Sequence, residues 1–181
     1  MTKKRVVVTG LGCLTPIGCN KDDFWKSLLE GKSGAKTIDF LDVDKLPVKF
    51  SASVKDFQSD KYFDKKDLKK MDLFMQYGMA AGIDAVADAK LLESQCNLDR
   101  IGVSIGSGIG GLYNIENTRD TFIKSGSRRI SPFFVPASII NMISGNLSIK
   151  YGFKGPNLSI VTACTTGTHN ICLLYTSPSP R

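Results

Sequence analysis

The chain has 181 residues, of which 42% are hydrophobic and 23% are charged, and its formal net charge is +7. This composition excludes a disordered chain, and the length predicts one domain, or one and a fraction, with a sizeable core. No run of about 18 apolar residues is present, so we expect no membrane-spanning helix. The apolar run Val6–Val8 is too short for a signal peptide, which makes the cytoplasm the expected location.

Histidine and cysteine usage restricts the chemistry further. The single histidine, His169, leaves too few ligands for most metal hydrolases, so we expect no bound metal. The cysteines have irregular spacings and no CxxC pair, which predicts neither a disulfide framework nor a zinc site. They are Cys13, Cys19, Cys96, Cys164 and Cys172. The positive charge favours an acidic partner such as nucleic acid, an anionic membrane or an acidic protein, with an ordinary solvated surface as the alternative.

Residues 172–181 break the pattern of the sequence before them. Two prolines and several Ser and Thr residues interrupt what would otherwise continue as a helix. The same decapeptide results when a common transposase sequencing adapter is read in frame. We therefore expect residues 1–171 to be native sequence that continued further in the original gene, and residues 172–181 to be a foreign tail. A genuine Pro/Ser-rich tail is the alternative.

In chain order, the sequence predicts strands and helices in alternation. Arg5–Thr9 has the β-branched composition of a buried strand, and a Gly/Pro turn follows it up to Gly18. Asn20 is the expected N-cap of a short helix that ends at Gly31. Apolar residues at three- and four-residue steps then predict one long helix over Lys65–Leu92, and the small residues in its middle indicate close packing by neighbours.

The remaining elements continue this alternation without an internal repeat or a long linker. They are strands at Val48–Val54, Ile101–Ile105 and Ser159–Ala163, helices at Tyr113–Lys124 and within Val135–Lys150, a loop at Ser125–Pro132, and a final helix from Cys164. Strands that alternate with helices predict an α/β layered fold.

Two glycine motifs have alternative interpretations. Gly106, Gly108 and Gly111 match the GxGxxG pattern of dinucleotide sites, which would indicate a nucleotide-dependent oxidoreductase. No acidic residue ends a second strand about 20 residues on, so we interpret the glycines as a turn that permits a close backbone approach. Gly102–Gly106 matches GxSxG, but Ser104 lies inside a predicted strand rather than at the sharp turn that a hydrolase nucleophile requires.

Cys164 is the strongest candidate nucleophile. It lies where the predicted strand Ser159–Ala163 changes to a helix, and unpaired backbone N–H groups at such a junction favour the thiolate form. The alternative is a small buried hydrophobe, the usual state of a free cysteine. His169 follows five residues later, about 140° around the helix, so the two side chains face different ways. We interpret His169 as a structural histidine with satisfied hydrogen bonds.

The segment Gly155–Ile171 (GPNLSIVTACTTGTHNI) resembles the active-site signature of β-ketoacyl synthases. Further matches to that family are VVVTGLGCLTPIG from Val6, Lys70-Met71-Asp72, GSGIGG from Gly106, and ISPFFVP from Ile130. The resemblance covers Thr2–Ile171 and is strongest to the synthase II branch of dissociated fatty-acid synthesis.

This resemblance implies a thiolase-like layered αβαβα fold, of which the chain is an incomplete N-terminal half, and a homodimer. It implies that Cys164 accepts an acyl chain from an acyl carrier protein, and that this acyl-enzyme condenses with malonyl-carrier protein after loss of CO2. The backbone N–H of Cys164 would be one oxyanion donor, and no cofactor is implied. Ile109 and Phe134 match positions that line and gate the acyl pocket, with ordinary core residues as the alternative.

The resemblance also accounts for the positive charge. Five basic residues match the family surface that binds the acidic carrier protein: Lys66, Lys69, Lys70, Arg128 and Arg129. A solvated helix face is the alternative for each lysine. The expected partner is therefore an acyl carrier protein, and neither nucleic acid nor a membrane.

The family's two catalytic histidines, a lysine and a second oxyanion donor all lie downstream of the Cys164 helix. His169 precedes those positions, so we expect the 181 residues alone to be inactive. Two related classes remain as alternatives: a non-catalytic partner subunit resembling a chain-length factor, which would lack the nucleophile, and a polyketide ketosynthase. The sequence leaves the pathway and the acyl chain length open.

Overall fold

The computed structural model describes residues 5–40 and 42–176. The helices and strands are α1 (Lys21–Leu29), β1 (Lys36–Thr37), β2 (Phe50–Ser51), α2 (Lys65–Leu68), α3 (Leu73–Asp88), β3 (Val103–Ser104), α4 (Leu112–Ser125), α5 (Phe134–Ser138), α6 (Met142–Tyr151), β4 (Asn157–Leu158) and α7 (Thr166–Thr176). Short 3-10 turns lie at Ser59–Lys61, Leu98–Arg100, Ser127–Arg129 and Ala163–Thr165. Among the helices of the described residues, none combines the length and apolar character needed to cross a membrane.

The core forms where α3 packs against α6. Met75 and Ile143 are each only 1% exposed and belong to one cluster of buried apolar side chains with Leu147. Gly78 and Gly82 of α3 face Ile143 and Leu147, and a Cβ atom added to either glycine would lie 2.8 Å from the facing side chain. This close approach confirms the packing predicted from the small residues of that helix. Each large apolar side chain buried here stabilises the fold by about 1.5–3 kcal/mol.

The parallel pair β3–β4 positions the functional end of the molecule. Val103 lies opposite Asn157, and helices α4, α5 and α6 form the crossover that a parallel connection requires. Because the carboxyl ends of parallel strands lie at the same edge, the segments that follow β3 and β4 emerge side by side. These segments contain Gly106 and Cys164.

Two helix predictions are confirmed. The Asn20 side chain caps α1 by accepting hydrogen bonds from the N–H groups of Asp22 and Asp23, at 3.1 and 2.9 Å. Gly31, just after α1, has φ +67°, a conformation that glycine adopts readily. The helix expected at Tyr113–Lys124 is α4, which is one residue longer at each end.

The prediction of one continuous helix over Lys65–Leu92 is wrong, because the chain forms α2 and α3 with a break at 69–72. Asp72 explains the break, since its side chain caps α3 by accepting a hydrogen bond from the Phe74 N–H, which starts a new helix there. The Val135–Lys150 region likewise contains two helices, α5 and α6.

The strand predicted at Arg5–Thr9 is also wrong, because none of the described strands lies beside this extended segment. Val8 is 67% exposed, as expected for a strand-like segment that lacks its neighbours. Directly after this segment, the Leu11 N–H donates a hydrogen bond to Asp88 Oδ2, at the end of α3, at 2.9 Å. An ion pair with Lys21, together with the Leu11 N–H, lowers the pKa of the Asp88 carboxyl.

The other predicted strands are shortened or displaced. Val48–Val54 contains only β2, which pairs antiparallel with β1, and Ile101–Ile105 contains only β3. The strand predicted at Ser159–Ala163 is wrong, because the pairing with β3 occurs earlier, at Asn157–Leu158. Apolar composition identified these segments, but the position of the hydrogen-bonded partner determines which residues pair.

Candidate active site

Cys164 lies in the 3-10 turn Ala163–Thr165, directly before α7, and it is exposed. The preceding residue, Ala163, has φ +49°, a left-handed conformation that costs a residue with a Cβ atom about 1–2 kcal/mol. The chain therefore turns sharply at the cysteine. The prediction that Cys164 marks the start of the last helix is confirmed, although the segment before it is not a strand.

Hydrogen bonds from two threonine side chains maintain this turn. The Thr166 hydroxyl accepts from the Thr162 N–H at 2.9 Å and donates to the Ala163 carbonyl oxygen at 2.8 Å. The Thr165 hydroxyl donates to the Thr162 carbonyl oxygen at 2.7 Å. Thr166 is only 6% exposed, so water does not compete effectively for its two hydrogen bonds.

The residues after β3 pack directly against this turn. A Cβ atom added to Gly106 would overlap the Ile160 carbonyl oxygen and would lie 2.5 Å from Thr166 Cγ2. This contact confirms the interpretation of the glycine motif as a close backbone approach. The Ser104 hydroxyl donates to Asn170 Oδ1 of α7 at 2.6 Å, so it attaches β3 to α7 and does not occupy a nucleophile turn.

Replacing Gly106 with alanine is expected to destabilise the fold by about 1–3 kcal/mol, because the backbone oxygen of Ile160 cannot move away cheaply. Gly145→Ala is the control: Gly145 lies within α6, and nothing lies within 4 Å of its added Cβ. Denaturant unfolding of the complete gene product measures the change in the free energy of unfolding for both variants. Equal midpoints for the two variants would contradict the close-contact argument.

The glycine loop connects the Cys164 turn to α5. Gly108 lies over the turn, with its added Cβ 3.7 Å from the Ala163 carbonyl oxygen, and the Gly111 N–H donates to the Ser138 carbonyl oxygen at 3.0 Å. Ile109 lies between these two contacts and is 72% exposed. The structure thus attaches the loop that bears Ile109 to the turn that bears the cysteine, and leaves the isoleucine side chain uncovered.

Phe134 is half-buried and is the first residue of α5. Its carbonyl oxygen accepts a hydrogen bond from Asn114 Nδ2 at 3.0 Å, and the same amide nitrogen donates to the Ser138 hydroxyl at 2.8 Å. Asn114 therefore holds α5 against α4. Through Ser138, α5 also contacts the glycine loop, so Ile109 and Phe134 belong to adjoining segments.

The three predicted basic residues of the α2 region differ in environment. Lys66 and Lys69 are exposed, whereas Lys70 is half-buried. The Lys70 ammonium group lies 3.0 Å from Asp67 Oδ1 and 5.8 Å from the centroid of the Phe133 ring. Lys70 therefore has much of its charge balanced locally, and Lys66 and Lys69 present theirs to solvent.

Arg128 and Arg129 are exposed on the 3-10 turn Ser127–Arg129, which follows α4. Phe133, four residues farther on, contacts Lys70. The segment that follows the arginine turn therefore approaches Lys70, and the grouping of the five basic residues on one surface stays a prediction.

One expectation needs revision, and the role of one residue was not predicted. His169 is exposed and its imidazole makes no hydrogen bond within the described residues, so the predicted structural histidine with satisfied bonds is wrong. Conversely, Asp72 has a structural role that was not predicted: it is 9% exposed, caps α3, and accepts a hydrogen bond from the Asn114 N–H at 2.8 Å. An aspartate directly before an apolar helical segment is typical of an N-cap, and this pattern could have predicted the role.

Residues 3–176 match the family model described as the N-terminal domain of β-ketoacyl synthases. The chain belongs to the β-ketoacyl synthase family. The family resemblance stated from the sequence motifs is thereby confirmed.

Curated relatives of this β-ketoacyl synthase chain carry the name 3-oxoacyl-[acyl-carrier-protein] synthase 2. The protein from Vibrio harveyi is 53% identical over 171 residues, and that from Coxiella burnetii is 50% identical over 171 residues. A Staphylococcus aureus relative is 44% identical over 168 residues. These alignments cover 93–94% of the chain but only 41% of each relative, so the chain spans less than half of their length.

Solved structures confirm the thiolase-like ketosynthase fold. The ishigamide ketosynthase/chain length factor superposes with a TM-score of 0.79 at 22% identity, covering 97% of this chain and 45% of that one. A β-ketoacyl synthase from Burkholderia phymatum gives 0.75 at 23% identity, with 95% and 43% covered. A type II polyketide ketosynthase, in complex with its acyl-carrier protein, gives 0.74 at 24% identity, with 93% and 44% covered. At these identities the likeness concerns the fold alone.

Proposed function

We propose that the chain is the N-terminal part of a condensing acyltransferase of fatty-acid elongation, with Cys164 as the acyl-accepting nucleophile. The observation that carries this proposal is the exposed thiol at a sharp turn where α7 begins. The Cys164 N–H makes no hydrogen bond within the described residues, so it is free to stabilise negative charge. Relatives named 3-oxoacyl-[acyl-carrier-protein] synthase 2 support the choice of reaction.

The proposed reaction proceeds through an acyl-enzyme. The Cys164 thiolate attacks the thioester carbonyl of an acyl-carrier protein, and the carrier's thiol leaves with a proton, so that one thioester replaces another. Malonyl-carrier protein then loses CO2, and the resulting carbanion attacks the acyl carbonyl. A carbon–carbon bond forms, the bond to sulfur breaks, and the Cys164 thiolate is regenerated. In both steps, the Cys164 N–H faces the oxygen on which negative charge develops.

The acyl chain is proposed to lie along Ile109 and Phe134. Ile109 is an exposed apolar side chain on the loop that packs over the Cys164 turn, and Phe134 begins the helix to which this loop is hydrogen-bonded. An exposed isoleucine is unfavourable in water, and an alkyl chain would cover it. Groups expected from the family to assist decarboxylation, including two histidines, lie beyond Ile171.

Acyl transfer to the protein is the direct test of this function. The full-length gene product, obtained by reading the gene past the codon for Ile171, is incubated with a long-chain acyl-carrier protein and analysed by intact-protein mass spectrometry, followed by mass spectrometry of its proteolytic peptides. We expect a mass increase equal to one acyl group on the peptide that contains Cys164. Acylation of another residue, or none, would contradict the proposal.

The proposed partner is an acyl carrier protein, which binds the exposed basic residues near α2 and the arginine turn. A solved relative of the same fold is described as bound to its acyl-carrier protein, which supports a partner of this kind. Lys66, Lys69, Arg128 and Arg129 are all exposed, so they are available to an acidic surface. Long-range attraction of this type chiefly increases the rate of association.

Charge reversal tests this surface. Lys69→Glu and Arg129→Glu are each expected to lower the association rate with the carrier protein by about tenfold at low salt, because steering is lost. The effect is expected to shrink above about 0.15 M salt, where the charges are screened. Lys45→Glu, on the loop between β1 and β2, makes the same charge change at another exposed lysine and serves as control. Equal rates for the three variants would contradict the assignment.

Fatty-acid rather than polyketide synthesis is proposed because relatives named 3-oxoacyl-[acyl-carrier-protein] synthase 2 are 44–53% identical, whereas the structure described as a type II polyketide ketosynthase is 24% identical. A non-catalytic partner subunit is disfavoured because the nucleophile is present and exposed. The complete protein is proposed to act in the cytoplasm as a homodimer.

A further inference from the structure

The carbonyl oxygen of the peptide unit between Ala163 and Cys164 accepts two hydrogen bonds from Thr166, one from its backbone N–H and one from its hydroxyl. The Thr166 hydroxyl donates to the Ala163 carbonyl oxygen at 2.8 Å and accepts from the Thr162 N–H at 2.9 Å. The hydroxyl thus contacts the chain on both sides of Ala163. Because the φ of Ala163, +49°, is a sparsely populated conformation, we expect the two hydrogen bonds of the hydroxyl to add to the backbone hydrogen bond in maintaining it.

The orientation of that peptide determines where the Cys164 N–H points. The peptide is trans and planar, so its N–H is antiparallel to its C=O. Fixing the Ala163 carbonyl oxygen toward Thr166 therefore fixes the Cys164 N–H in the opposite direction. That N–H has no hydrogen-bond acceptor among the residues that the structure describes.

The Thr166 side chain is itself held in place. It is 6% exposed, its Cγ2 atom lies against Gly106, and its carbonyl oxygen accepts from Asn170 Nδ2 at 2.9 Å. Asn170 in turn accepts the hydroxyl of Ser104 at 2.6 Å. The position of the hydroxyl is consequently set by β3 and by the first turns of α7, which are the packed parts of this region.

We propose that Thr166 is a positioning residue: its hydroxyl orients the Cys164 N–H as the oxyanion donor for acyl transfer. This inference rests on the proposed function, because it concerns the step in which the thioester carbonyl becomes tetrahedral. An oxyanion donor stabilises charge only when its direction is fixed before the reaction, so the orientation of one peptide affects the rate.

Two reactions of the same sulfur atom separate this role from a general effect on the thiol or the fold. Acylation by an acyl-carrier protein passes through an oxyanion, whereas alkylation by iodoacetamide displaces iodide at carbon and develops no charge on a carbonyl oxygen. For Thr166→Val in the full-length gene product, we expect acylation of Cys164 to slow by about 10- to 100-fold. Alkylation is expected to change by less than about twofold.

Three further variants serve as comparisons. Thr166→Ser retains the hydroxyl and is expected to acylate at nearly the rate of the unmodified protein. Thr166→Ala also lacks the hydroxyl and is expected to reproduce the selective loss, which provides a second test if the valine variant does not fold. Thr168→Val makes the same chemical change two residues along α7, at an exposed threonine whose hydroxyl makes no hydrogen bond among the described residues, and is expected to leave both rates unchanged.

Equal slowing of acylation and alkylation would overturn the inference, because it would show an effect on the thiol or on the fold. Unchanged acylation in Thr166→Val would overturn it as well. Failure of the proposed function is distinguishable from both: the unmodified protein would then alkylate at Cys164 but would accept no acyl group.

Discussion

Replacing Cys164 with alanine in the full-length gene product is expected to reduce condensation by about 10⁴- to 10⁶-fold, the range found when a nucleophile of a catalytic unit is removed. The reason is that no acyl-enzyme can form without the sulfur atom, and the difficult condensation then lacks its activated acyl group. Two measurements check this result: product formation from acyl- and malonyl-carrier proteins, and covalent labelling by a thiol-reactive acyl mimic.

Cys96→Ala is the matched control, because Cys96 is also an exposed free cysteine. It is expected to retain full activity and full labelling. Cys13 and Cys19 are half-buried, and burial raises the pKa of both thiols, so they are expected to react slowly near neutral pH. Labelling that persists in the Cys164→Ala protein would contradict the assignment of the nucleophile.

The sequence predicted best those elements whose determinants are local. The Asn20 cap of α1 and the amphipathic pattern of α4 need only neighbouring residues, and the structure contains both helices. The division of the predicted Lys65–Leu92 helix was missed because apolar periodicity continues across the break. The capping side chain of Asp72 overrides that periodicity locally.

Strand predictions depended on partners that a local pattern does not identify. Arg5–Thr9 has the composition of a strand but no neighbouring strand in the described residues, and the pairing partner of β3 is Asn157–Leu158 rather than the more apolar segment after it. The same reasoning applies at the candidate site. Cys164 was found from its motif, whereas the role of Thr166 depends on hydrogen bonds that only the folded turn brings together.

The surface of the chain indicates what happens when it is produced by itself. Its accessible area is 13067 Å², whereas a compact monomer of 19.7 kDa is expected to expose about 8,600 Å². Large apolar side chains contribute to the excess: Val7 is 63% exposed, Leu29 70% and Ile149 77%. Exposed apolar area of this extent is typical of surfaces that another part of a protein covers.

We therefore expect the isolated 181-residue chain to aggregate, to bind a hydrophobic dye such as ANS strongly, and to show no condensing activity. Apolar area costs about 25 cal/mol per Å² when it stays in water, so association between copies is favourable wherever such surfaces meet. Size-exclusion chromatography measures the aggregation, and ANS fluorescence measures the exposed apolar surface.

Covering the apolar surface with the missing part of the protein provides the control for that experiment. Joining residues 1–171 to the remainder of the full-length gene product is expected to give a soluble, dye-negative dimer, because the same side chains are then buried. Substituting Val6 and Val8 with lysine in the isolated chain removes apolar area from one exposed segment only, so a partial gain in solubility is expected. A soluble, monomeric, dye-negative isolated chain would show instead that the exposed side chains need no partner, and the proposal that this chain is one part of a larger condensing enzyme would lose its structural support.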